Sequence, residues 1–147
     1  MTVVTLAVLA LAACSIGGAG YGDPVDGLEC DATGLEPIQA RVRLDLFTGQ
    51  SHLPATAGVG STGDCNYAVG TEQEAGIIVV RGEEAAGATL ATFLTIWEYA
   101  ISAGSGGADA FLQAATEGEI RVNGEPIGGG PAAVPLRDGD VIELIGP

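Results

Sequence analysis

From Ile38 to Phe47 the chain reads IQARVRLDLF, with Ile38, Ala40, Val42, Leu44 and Leu46 alternating with Gln39, Arg41, Arg43 and Asp45. Successive side chains of a strand point to opposite faces, so a period of two held this long specifies a half-buried strand. Such a strand needs a sheet around it. Gly76–Arg81, GIIVVR, supplies one by its β-branched run and reads as a central strand. Thr48–Gly63 is rich in Gly, Ser, Thr and Pro and reads as a loop, followed by a short strand over Cys65–Val69. The glycine-rich stretch GVGSTG, Gly58–Gly63, has no lysine and no helix after it, so it is not a phosphate loop.

The period then changes. Leu90, Phe93, Leu94, Trp97 and Ile101 fall on one face of a helix over Thr89–Ser102, with Thr92, Thr95 and Glu98 on the other side. Gly104 suits the position just past its end. Gly106 and Gly107 separate a shorter helix, Ala108–Thr116, with Phe111 and Leu112 as apolar contacts. Trp97 lies in the apolar stripe and is expected in the core rather than against a ligand. Strands return at Glu119–Ile127, EIRVNGEPI, where Asn123-Gly124 supplies the positive φ angles of a tight hairpin. Gly128–Gly130 is a loop, and Leu136–Leu144, LRDGDVIEL, is a turn feeding a last strand. Asp138 and Asp140 are expected to form that turn, because a calcium loop needs more oxygens at set spacing. These elements predict an α+β fold: a small mixed or antiparallel sheet with one main helix and one short helix.

The N-terminus carries a different signal. Val3–Ala13, VVTLAVLALAA, is an uncharged apolar run, too short to span a bilayer but the right length for the apolar part of a signal peptide. It runs into Leu11-Ala12-Ala13-Cys14, which resembles the lipobox of bacterial lipoproteins. The resemblance implies that Cys14 receives a diacylglyceryl group, that residues 1–13 are removed, and that palmitate-type acyl chains hold the protein at a membrane. Two acyl chains meet the requirement for stable anchoring. No Lys or Arg precedes the apolar run. Residues 14–28 then read as a lipidated, glycine-rich tether, and 29–147 as a single exported α+β domain.

With Cys14 taken by lipid, Cys30 and Cys65 remain. An even remainder in an exported protein predicts a disulfide. The alternative is a pair of metal ligands. Metal sites show close cysteine pairs or several histidines, and this chain has one histidine, His52, and no close pair. No metal and no cofactor are expected.

The charge narrows the partners. Lysine is absent, five arginines face nineteen carboxylates, and the formal charge is −14. Nucleic-acid binding draws most of its affinity from cations on phosphates, so no nucleic-acid partner is expected. No catalytic constellation stands out: His52 has only Ser51 for company in a loop, and there is no G-x-S-x-G. Carboxylates are numerous enough for paired Asp/Glu catalysis, but nothing singles out a pair.

The string GEIRVNGEPI, followed by PLRDGDVIEL, resembles the closing strands of three small modules. One is the ribosomal protein S-four type RNA-binding module, where two helices precede a strand, VNG and a later GD. The second is the β-grasp fold of the ubiquitin-like sulfur carriers. The third is the β-grasp-like domain of exported cobalamin-binding relatives. The resemblance implies a β-grasp-like C-terminal part in which Asn123, Gly124, Gly139 and Asp140 form turns. It carries no function across. The RNA-binding module places cations on its helices, and Thr89–Thr116 has none; the sulfur carriers act through a terminal Gly-Gly, where this sequence reads Ile145-Gly146-Pro147. The reading is therefore a membrane-tethered, extracytoplasmic lipoprotein of the cell envelope. Its domain is a non-catalytic interaction or ligand-binding module for an envelope protein or a small ligand. The alternative is a nucleic-acid-binding module of the S-four type, which the charge opposes.

Overall fold

The computed structural model describes residues 20–101 and 107–147. The expected signal peptide, Cys14, the first residues of the expected tether, and Ser102, Gly104 and Gly106 lie outside the described residues.

The alternating segment forms β1 (Ile38–Thr48), and Ala40, Val42, Leu44 and Leu46 are buried along one face. It turns at Gly49-Gln50 into β2 (Ser51–Pro54), pairing Thr48 with Ser51. β3 (Val69–Thr71) and β4 (Ile77–Arg81) follow, then α1 (Leu90–Ile101), α2 (Ala108–Glu117), the hairpin β5 (Glu119–Val122) and β6 (Glu125–Ile127), and β7 (Val141–Ile145). The sheet runs β3-β4-β1-β7-β5-β6, with β2 continuing the β4 side of β1. All pairings are antiparallel except β1 with β7, from Arg43 opposite Val141 to Phe47 opposite Ile145. A parallel pair requires a crossover, here the whole chain from β2 through the helices to the β5–β6 hairpin. The fold is thus α+β: the first and last strands lie side by side under the helical layer.

That layer covers the face carrying Val42, Leu44, Ile78, Val80, Ile142 and Leu144. Leu90, Phe93, Leu94 and Trp97 are buried against it, as the helical stripe requires. Trp97 is a core residue, with its ring between Phe93 at 5.6 Å and Phe111 at 4.8 Å. At the start of α1, Thr89 and Thr92 exchange hydrogen bonds between hydroxyl and backbone N–H, a reciprocal cap.

Four expectations are corrected. Thr92, assigned to the solvent side of the helix, is buried. Its hydroxyl caps the helix and meets the N-terminal segment, which covers that side. The loop expected over Thr48–Gly63 contains β2; its residues are all exposed, so no burial pattern betrayed the strand. The short strand expected over Cys65–Val69 begins only at Val69. The tether expected to extend to residue 28 is packed from Gly20 onward. Val25 and Leu28 are buried and exchange backbone hydrogen bonds of 3.0 and 2.8 Å. Tyr21 meets Tyr67 edge-to-face at 5.4 Å, and the Tyr67 hydroxyl donates to the Asp23 carbonyl at 2.6 Å. Glycine here permits tight turns rather than flexibility: Gly22 and Gly27 sit at φ of 99° and 81°.

Candidate functional site: a cleft on the helix-free sheet face

The residues that alternate with the core point to the face without helices. Four of the five arginines, Arg41, Arg43, Arg81 and Arg121, lie there. Three are matched by carboxylates. Arg43 donates from Nε to Asp45 at 2.7 Å and from a terminal nitrogen at 3.2 Å. Hydrogen bonding to Asp45, more than any other influence, raises the Arg43 pKa above its ordinary value. Arg81 donates to Glu72 at 2.6 Å and to the Glu36 carbonyl at 3.0 Å. Arg121 pairs with Glu119. Arg41 differs. Its backbone is fixed, the N–H donating to Asp138 Oδ1 at 2.8 Å and the carbonyl accepting from Gly139 at 3.0 Å. Among the described residues its guanidinium has no side-chain hydrogen bond and no ion pair.

Arg41 borders a cleft of ≈ 920 Å³ over β3, β4 and β1. One row of the sheet, Gly70–Val79–Arg41, crosses its floor, with Ile77 beside it. Val79 is only 3% exposed although it lies on the face without helices. One wall is the Gly58–Ser61 backbone, which runs along β3: Thr71 N–H donates to the Val59 carbonyl at 3.0 Å and Tyr67 N–H to the Gly60 carbonyl at 2.9 Å. It can approach because residue 70 is glycine; a Cβ there would stand 2.1 Å from the Val59 carbonyl oxygen. This wall also covers the outer edge of β3.

The other wall joins Ala32–Gly34 to Asn66–Ala68. Ala32 N–H donates to the Asn66 carbonyl at 2.8 Å, and the Cys30–Cys65 disulfide ties the two segments just behind. The next turn is held by Glu36, whose carboxylate accepts from Thr33 N–H at 2.7 Å and Gly34 N–H at 2.9 Å. The backbone N–H donors, Thr33 first, lower the Glu36 pKa to about 2. Glu72 and Glu74 complete the rim. Glu74 is exposed, has no side-chain hydrogen bond or ion pair among the described residues, and lies within electrostatic reach of Arg43.

The other residues singled out in the sequence have structural partners. Cys30 and Cys65 form the expected disulfide. His52, expected alone in a loop, lies in β2 with Nε2 3.0 Å from Asp45 and its ring stacked on Phe47 at 4.7 Å. Asp138 receives the Arg41 N–H, and Asp140 receives the Asn123 amide at 2.9 Å. Asn123 and Gly124 have φ of 53° and 85°, as the hairpin requires. Among the described residues, no group of three or more His, Cys, Asp or Glu could hold a metal ion. No described helix is long and apolar enough to cross a membrane.

Sequence reasoning missed the cleft. The alternation set Arg41 on the polar face, but the walls come from separate segments that only the fold brings together. The arrangement is suited to binding: an apolar floor, a fixed backbone carrying an unpaired guanidinium, and backbone polar groups on two sides. No protein-family model, curated protein or solved structure matches this chain.

Proposed function

We propose that this protein is a lipid-anchored, extracytoplasmic binding domain of the cell envelope, which captures a small ligand in the cleft between β3, β4 and β1. The observation that carries the reading is Arg41: a guanidinium unpaired among the described residues, at the edge of the cleft, where the other sheet-face arginines are matched by carboxylates. The ≈ 920 Å³ cleft falls in the range of small-molecule sites. The Cys30–Cys65 disulfide supports an oxidising compartment. The lipobox-like Leu11–Cys14 supports anchoring there. Packing begins by Gly20, six residues after Cys14, so the link from lipid to domain reaches about 20 Å at most. The cleft then operates close to the membrane surface.

The test compares the native protein with Ser61→Trp, which places an indole in the cleft from an exposed rim position. Both proteins are incubated with a small-molecule extract of the source cells, separated from unbound solutes and examined by mass spectrometry. Low-mass compounds retained by the native protein and lost from Ser61→Trp support the reading. Identical profiles from the two folded proteins overturn it.

A further inference from the structure

Resting on the cleft as the ligand site, we infer that its ligand is a short zwitterionic peptide, a di- or tripeptide with free ammonium and carboxylate ends. Among the described residues the cleft offers one unpaired group of each sign, the Arg41 guanidinium and the Glu74 carboxylate, and its lining includes the half-buried apolar side chains of Ile77, Ala32 and Ala68. The neighbouring charges are already engaged, Arg81 by Glu72 and Arg43 by Asp45. A guanidinium binds a carboxylate through two parallel N–H donors, and an exposed carboxylate accepts from an ammonium.

The overall field selects further. At a formal charge of −14 the protein repels net anions, so a second negative charge on the ligand is disfavoured. A zwitterion has no net charge to repel.

The spacing sets the length. Arg41 lies opposite Val79 and Arg43 opposite Ile77, two residues along the same strand, and Glu74 lies in the turn just before Ile77, at the Arg43 end of that interval. Two strand residues span about 7 Å. An extended peptide advances about 3.5 Å per residue, so two or three residues carry their end charges across that interval. In a free amino acid the two charges sit on one carbon and cannot reach both groups. The half-buried Ile77, Ala32 and Ala68 take the side chains.

The experiment is calorimetric titration of the full chain in detergent micelles at low salt with leucyl-leucine. N-acetyl-leucyl-leucine, leucyl-leucine amide and free leucine are the comparison probes. Leucyl-leucine is expected to bind at least tenfold tighter than each. Arg41→Gln should remove the advantage over the amide, and Glu74→Gln the advantage over the acetylated peptide. Both residues are exposed, so both variants should fold. Equal affinity for all four probes, or a preference that survives both substitutions, overturns the peptide assignment while leaving a cleft that binds. No binding by any probe also overturns it, and the Ser61→Trp comparison then decides the cleft on its own.

Discussion

The Thr92 hydroxyl, near the start of α1, donates to Asp26 Oδ2 at 2.7 Å across 66 residues of sequence. This bond closes the N-terminal segment over the helix. Thr92 is 2% exposed, whereas Asp26 is exposed and held at φ 50°. The carboxylate also stands beside the positive end of the helix. Asp26→Ala loses a hydrogen bond worth about 1 kcal/mol and places alanine in a left-handed conformation costing about 1 kcal/mol more. A destabilisation of about 2 kcal/mol is expected from urea unfolding. A double-mutant cycle with Thr92→Val should return a coupling of about 1 kcal/mol. Zero coupling would show that this bond does not hold the segment, which then rests on Val25, Leu28 and the Tyr67 contacts to Tyr21 and Asp23.

The turn at the cleft rim has a predictable response to acid. Glu36 has a folded pKa of about 2 against an ordinary 4.5, because backbone N–H groups stabilise its carboxylate. A depressed pKa means the contribution is fully present above 4.5 and is lost as pH falls through about 2. The amide resonances of Thr33 and Gly34, followed by NMR, should titrate near pH 2. They should lose that transition in Glu36→Gln. A midpoint at the ordinary glutamate value would mean the N–H bonds do not persist in solution.

Strand β1, the β5–β6 hairpin and the helical stripe were legible because each is governed by local periodicity or turn chemistry. Asn123-Gly124 demanded a hairpin, and the alternation from Ile38 separated the core face from the arginine face. The packing of Gly20–Leu28 was not legible, because glycine-rich composition is shared by flexible linkers and tight turns. Thr92 was misplaced for a related reason. A hydroxyl reads as solvent-facing until a distant partner such as Asp26 is known. The cleft depends on the convergence of residues 32–34, 58–61, 66–68 and 72–74. No local pattern specifies that meeting; only the pairing of Cys30 with Cys65 foreshadowed part of it.

That disulfide links both strips of one cleft wall. Cys30 and Cys65 are 35 residues apart, and closing such a loop stabilises the fold by about 3–4 kcal/mol in the chain-entropy model. Cys30→Ser with Cys65→Ser should lower stability by about that amount and weaken leucyl-leucine binding. Mass measurement of native protein alkylated without reduction should find neither cysteine modified. Two alkylated thiols in material from the cell envelope would count against the bridge.

In the proposed lipoprotein, anchoring would rest on a single atom, the Cys14 sulfur. A serine cannot form the thioether, so Cys14→Ser should abolish incorporation of a clickable fatty acid. The protein should move from the membrane to the soluble fraction or remain unprocessed. Equal label on the two proteins would sink the lipoprotein reading.

Asn123 holds the C-terminal turns together, and the reason is specific. Its Oδ1 accepts the Val141 N–H at 2.9 Å, its amide donates to Asp140 Oδ1 at 2.9 Å, and its own N–H donates to the Val141 carbonyl at 2.8 Å. One side chain thus locks the hairpin to the start of β7, the strand that runs parallel to β1. The residue also sits at φ 53°, which asparagine tolerates and alanine does not. Asn123→Ala loses both side-chain bonds, about 1 kcal/mol each, and adds about 1 kcal/mol of backbone strain. Asn123→Gly loses the same bonds without the strain. Urea unfolding should therefore rank native above glycine above alanine, with about 1 kcal/mol between the two variants. An alanine variant as stable as the glycine variant would show that the backbone relaxes away from positive φ, and that the side-chain bonds alone fix this corner.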